Sequence, residues 1–191
     1  MKLFFFILLA VSISGCDIFS TRSAESPNQP RTSYQQAVTP DILISNLVNS
    51  LKDKSVENYL SCLSDYSFTQ KTFVFSPSSG ALSQFPSLSE NWGTKNEEQY
   101  FTNMAAKVGQ DLPITLTLTN ESYSPQGDSL VYTATYSLNV PANDPNLPQN
   151  YQGDLRFNMI RDSRAIWSIY YWQDSKNSDL PSWSELKGRT Y

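Results

Sequence analysis

Histidine does not occur among the 191 residues. Its absence excludes Ser–His–Asp triads, Cys–His dyads, His-ligated zinc and imidazole general bases together. Cysteine is nearly missing as well, with only Cys16 and Cys62, and glycine is scarce at seven residues. No paired-cysteine motif, Gly-rich phosphate loop or acidic run with calcium-loop spacing is present, so neither a metal nor a cofactor is expected. Charge is sparse: 17% of residues are Asp, Glu, Lys or Arg, and the formal net charge is −4. No basic block stands out, which argues against nucleic acid as a partner, because phosphate affinity comes from clustered Lys and Arg.

What is abundant is apolar and aromatic. Hydrophobic residues make up 39% of the chain, and Phe 10, Tyr 11 and Trp 4 supply large side chains. That composition excludes a disordered chain, and the length suits one ordinary domain with a short appendage.

The appendage is at the amino terminus. Met1 and Lys2 precede an unbroken apolar run from Leu3 to Val11. This suits the core of a signal peptide; a membrane-spanning helix needs about 20 such residues. Ile13-Ser14-Gly15-Cys16 follows, and it resembles the lipobox of bacterial lipoproteins: an aliphatic residue, two small residues and an obligatory cysteine. The resemblance implies a signal peptide over residues 1–15, cleavage after Gly15, and lipidation of Cys16. Two or three acyl chains at about 0.8 kcal/mol per buried methylene hold a protein stably on a membrane. The membrane is then a partner through this lipid, and the location is the bacterial cell envelope, on its periplasmic or outer-membrane face. Residues 16–39 carry Ser, Thr, Asn and Gln with Pro27 and Pro30 and show no hydrophobic period. They read as a flexible tether with a mean reach on the order of 25–30 Å. Cys62, between Leu60 and Leu63, is left without a disulfide partner and reads as a small buried hydrophobe.

The domain spans residues 40–191. Thr39-Pro40-Asp41 has the chemistry of a helix start, and Leu43, Ile44, Leu47, Val48 and Leu51 then recur on one face. Ser55 opens a second helix with the stripe Val56, Tyr59, Leu60 and Leu63. A strand is expected over Phe68–Phe75, then a Ser/Pro-rich connection to Trp92. A third helix is expected from Thr94 to Gly109, with Glu97 and Glu98 in its first turn and Tyr100, Phe101, Met104, Ala105 and Val108 on its apolar face. Four strands follow, over Leu112–Thr119, Ser129–Val140, Gly153–Ile160 and Ala165–Trp172, with turns at Pro125–Asp128 and Arg161–Arg164. Alternation in the last strand puts Ile169 and Trp172 on opposite faces. The tail from Ser182 to Gly188 reads as one docked helical turn, anchored by Trp183 and Leu186 and stopped by Gly188.

The order α-α-β-α-β-β-β-β is an α+β pattern with helices and strands segregated. Together with Thr39-Pro40-Asp41, the segment Tyr59–Asp65 and Trp167-Ser168-Ile169, it resembles the nuclear-transport-factor-2-like fold, the cystatin-related group that includes SnoaL-like proteins and ketosteroid isomerases. The resemblance implies three N-terminal helices packed on a strongly curved antiparallel sheet, forming a cone whose open end is a pocket.

Enzymes of that group resemble one another in placing a carboxylate base and a proton-donating Tyr or acid inside the cone. Asp65 and Tyr66 are the candidates for those two roles, although Asp65 at a helix end also reads as a turn residue that bonds nearby backbone amides. Tyr132, Tyr136 and Arg156 are candidates for ligand binding, with Arg156 and Asn158 on the strand face opposite Leu155, Phe157 and Met159. The sequence favours a noncatalytic domain that binds a small apolar ligand or another envelope protein. The alternative is a histidine-free proton-transfer enzyme, of isomerase or dehydratase type, that uses a cone carboxylate and a tyrosine.

Overall fold

The computed structural model describes residues 33–88 and 91–191. The signal peptide, Cys16 and most of the expected tether lie outside those residues. Residues 33–39, read above as the end of the tether, pack on the domain. Gln35 exchanges two hydrogen bonds with the Asn46 side chain (3.0 and 2.6 Å), and Ala37 is buried and accepts from the Trp167 amide at 2.8 Å.

Helix α1 (Pro40–Lys52) begins as its sequence dictates, with the Thr39 hydroxyl accepting from the Ile42 amide at 3.3 Å. Its buried stripe is Leu43, Ile44, Leu47 and Leu51. Helix α2 (Val56–Leu60) is capped by Ser55. The chain leaving it bridges Leu63 to Ile169, and the Ser64 amide donates to the Ile169 carbonyl at 2.8 Å. The expected strand over 68–75 is mostly replaced. Residues Tyr66–Thr69 form the helical turn α3, and only Val74–Ser76 forms β1. A β-rich composition was overridden here because Asp65 caps the turn and Gln70 ends it in the left-handed region (φ 56°).

The Ser/Pro-rich connection holds α4 (Ser79–Gln84) and a 3-10 turn (Pro86–Leu88), and α5 runs Thr94–Ala106. The strands β2 (Thr115–Gln126), β3 (Ser129–Asn139), β4 (Asn150–Arg161) and β5 (Trp167–Ser175) complete a five-stranded sheet of order β1-β5-β4-β3-β2. All pairings are antiparallel except β1 with β5. Strand β2 continues past its expected end at Thr119, through a register shift between Thr119 and Ser122. Gly127 takes φ +67° in the β2–β3 turn, a conformation that suits glycine.

Two further features depart from simple alternation and local signals. The register of β4 with β5 slips between Asn158 and Met159, leaving Tyr170 unpaired. One extra residue inverts the parity. Ile169 and Trp172, expected on opposite faces, are both fully buried as a result. The second feature is the tail. It forms α6 (Trp183–Thr190), two turns long, with Gly188 inside the helix instead of ending it. A Cβ on Gly188 would stand 2.3 Å from the Phe85 ring, so the helix lies closer to Phe85 than any side chain would permit.

The helices pack on the inner face of the sheet, where Tyr132, Tyr136 and Leu138 of β3 meet Tyr151, Leu155, Phe157 and Met159 of β4, all buried. Helix α6 enters this layer with Trp183, Leu186 and Lys187 fully buried.

Candidate functional site

The space that a curved sheet and its helices enclose is occupied here by two carboxylates and the side chains that α6 brings to them. Glu97 is fully buried in the first turn of α5. It accepts from the Tyr59 hydroxyl at 2.7 Å, from the Trp92 indole nitrogen at 2.7 Å and from the ammonium of Lys187. Lys187 is also fully buried. Its Nζ lies 3.8 Å from the ring centre of Phe75, 3.9 Å from Trp172, 5.1 Å from Tyr100 and 5.9 Å from Trp92. An ammonium enclosed by ring faces and one carboxylate is held by cation–π and charge-assisted contacts at once. Burial still pushes the lysine down to about 8, against the attraction of Glu97. Burial and the Glu97 charge together hold the Tyr59 phenol well above its ordinary value.

Asp174 is the second carboxylate. It accepts from the Tyr136 hydroxyl at 2.7 Å, from the Ser184 amide at 2.8 Å and from the Ser184 hydroxyl. Tyr136 in turn accepts from the Trp183 amide at 2.7 Å, and the Trp183 indole donates to the Tyr100 hydroxyl at 2.8 Å. The first turn of α6 is thus received by polar groups of β3, β5 and α5. A capping box closes it: Glu185, three residues after Ser182, accepts from the Ser182 amide at 2.6 Å.

The sequence candidates lie elsewhere or apart. Asp65 is exposed, and its carboxylate accepts from the Ser67 amide at 2.8 Å as the cap of α3. Tyr66 is 59% exposed. The Leu63 bridge to β5 explains both positions, since it fixes the end of α2 on the sheet and turns the next residues outward. Tyr132 and Tyr136 do face inward, but the Tyr132 hydroxyl donates to Glu121 at 2.7 Å while Tyr136 serves Asp174. Arg156 is on the outer face, exposed, and bonded to Asn158 at 3.3 Å. These three do not form one site. Cys62 is buried with its thiol on the Asn58 carbonyl, and burial pushes it up to about 12.

Glu97, Asp174 and Lys187 were not singled out from the sequence as site residues, yet two carry a signal. Glu97 precedes Tyr100, Phe101 and Met104 at i+3, i+4 and i+7, so the apolar stripe of α5 includes it. Asp174 shares the face of Trp172 two residues earlier.

Outside the cone is a groove of about 690 Å³, bounded by Tyr34, the α2–α3 segment and the β4–β5 hairpin. At its rim the Arg164 guanidinium lies 3.5 Å over the Phe68 ring and pairs with Asp162 at 2.7 Å. Ser168 lines the groove, and its buried hydroxyl has no partner among the described residues.

The fold has solved counterparts. A proposed aromatic-ring hydroxylase from Novosphingobium aromaticivorans superposes with TM-score 0.57 at 15% identity, over 77% of this chain and 92% of its own. A nuclear-transport-factor-2-like protein from Cytophaga hutchinsonii gives 0.52 at 10% identity over 71% and 93%. The fold is nuclear-transport-factor-2-like. A proposed scytalone dehydratase from Novosphingobium aromaticivorans gives 0.56 at 6% identity over 72% and 81%. At such identities the likeness is one of fold alone. No family model matches the sequence, and no curated protein does.

Proposed function

We propose that this chain is a lipid-anchored protein of the bacterial cell envelope whose domain binds another envelope protein without catalysis. The observation that carries the reading is the filled cone. The side chains of α6 occupy the interior and satisfy both of its carboxylates, which leaves concave surfaces outside it, among them the outer groove of about 690 Å³. Aromatic and arginine side chains at that groove, Phe68 and Arg164 above all, are the types enriched where proteins meet. The anchor rests on Ile13-Ser14-Gly15-Cys16.

A photo-crosslinker placed at Thr69 in the full chain, in its host, tests the binding reading. A defined adduct that disappears in Phe68→Ala and Arg164→Ala is expected; an adduct indifferent to both, or none, overturns it. Cys16→Ala should move the chain out of the membrane fraction, and continued retention there would overturn the anchor. A small apolar ligand that co-purifies and is displaced by the same groove variants would replace the protein partner.

One observation favours a second reading, proton transfer without histidine: tyrosine–carboxylate pairs are present at Tyr59–Glu97 and Tyr136–Asp174. Chemistry there would require α6 to withdraw and would not involve Asp65 or Tyr66. Turnover of an enolisable carbonyl compound, abolished by Glu97→Gln, is its test.

A further inference from the structure

Helix α6 and its cap bury an unusual face. Alongside Trp183 and Leu186 they insert Ser182, Ser184, Glu185, Lys187 and Thr190, all buried. The cavity that receives Lys187 is made of other elements: Phe75 of β1, Trp172 of β5, Trp92 just before α5, and Glu97 and Tyr100 within it. Four ring faces and one carboxylate around a single nitrogen are the composition by which proteins recognise ammonium ligands. Nothing in that set is chemically specific to a lysine of the same chain. The Trp172 indole nitrogen and the Tyr151 hydroxyl on the neighbouring strand are buried donors without partners among the described residues.

The plug is also the last element of the chain, joined to β5 by a segment in which Lys176, Asn177, Asp179 and Leu180 are exposed. It is no partner in the strand ladder, whose order is β1-β5-β4-β3-β2.

We infer that the cone beneath α6 is a binding site for a primary alkylammonium group, and that Lys187 occupies it as a built-in competitor. The bound amine takes over the Glu97 contact and the ring faces, and α6 is released. Binding and exposure of α6 are then coupled: the ligand shifts the equilibrium because it binds only the open form. The outer groove plays no part in this exchange.

Two measurements on the full chain decide the matter. In Lys187→Ala, n-butylammonium should raise the melting temperature saturably, n-butanol and butyrate should not, and Glu97→Gln in the same background should abolish the effect. Equal stabilisation by butanol would make the cavity merely apolar and overturn the ammonium site. In the unaltered chain, hydrogen exchange of residues 183–190 should accelerate at least tenfold with saturating ethanolamine, at constant ionic strength, while β4 stays protected. Unchanged exchange would make Lys187–Glu97 a purely structural pair and overturn the competitor role. If Lys187→Ala does not fold, the exchange measurement alone decides. Loss of groove crosslinking leaves both results unaffected.

Discussion

Lys187 donates to Glu97 across a gap of 90 residues, and neither side chain reaches solvent. The pair joins the last helix to the first turn of α5 in the middle of the domain. Breaking a buried pair strands a charge and costs about 3–5 kcal/mol, whereas replacing both members together is often near neutral. Lys187→Met should therefore destabilise the domain by about 3 kcal/mol or more. Glu97→Gln added to it should recover most of the loss, since an amide oxygen still accepts from Tyr59 or Trp92. Urea unfolding of the two single variants and the double variant measures the coupling; additive losses would contradict it.

Gly188 sits inside a helix, where alanine gains about 1 kcal/mol of propensity. The Phe85 ring opposes that gain, because a Cβ would meet it at 2.3 Å. Overpacking of this kind costs about 1–3 kcal/mol. Gly188→Ala should lower the melting temperature. Combined with Phe85→Leu, it should lower it by less than the sum of the two single effects.

Asn46 holds Gln35 through both of its polar atoms. Removing the amide leaves a partly buried backbone N–H and C=O unpaired, at about 1–3 kcal/mol. Asn46→Ala should free residues 33–38 and speed proteolytic nicking there, with the sheet intact by circular dichroism. Unchanged cleavage would mean that the Trp167–Ala37 bond alone suffices to hold the segment.

The buried thiol of Cys62 is raised from 9.0 to about 12 by desolvation. Above pH 9 the unfolded chain releases this proton while the folded chain keeps it, so its contribution to stability falls as pH rises from 9 to 12. Lys187 acts oppositely. Lowered from 10.5 to about 8, it loses its proton in the fold while the unfolded chain still holds it, so stability rises with pH across that window. Cys62→Ala should flatten the alkaline loss by up to about 1.4 kcal/mol per pH unit, one proton's worth. Lys187→Met should steepen the decline between pH 8 and 10.5. Unfolding midpoints followed from neutral pH into this alkaline range check both signs.

Local chemistry determined much of this protein from sequence alone. The Thr39 cap, the stripes of α1 and α5, the Gly127 turn and the alternation of β3 each follow from rules spanning a few residues. Element order carried the fold, and Trp183 and Leu186 marked the tail as docked. Tertiary structure decided what those rules do not reach. One unpaired residue, Tyr170, inverted the face of β5 and put both Ile169 and Trp172 in the core. A single bridge at Leu63 turned Asp65 and Tyr66 away from the interior. Glu97 and Lys187 are ordinary surface-type residues in a linear reading, because a charge becomes tolerable in a core only when a distant partner arrives to meet it. Whether the cone stands open or filled depended on where the last eight-residue helix came to rest, a matter of long-range packing that no local period encodes.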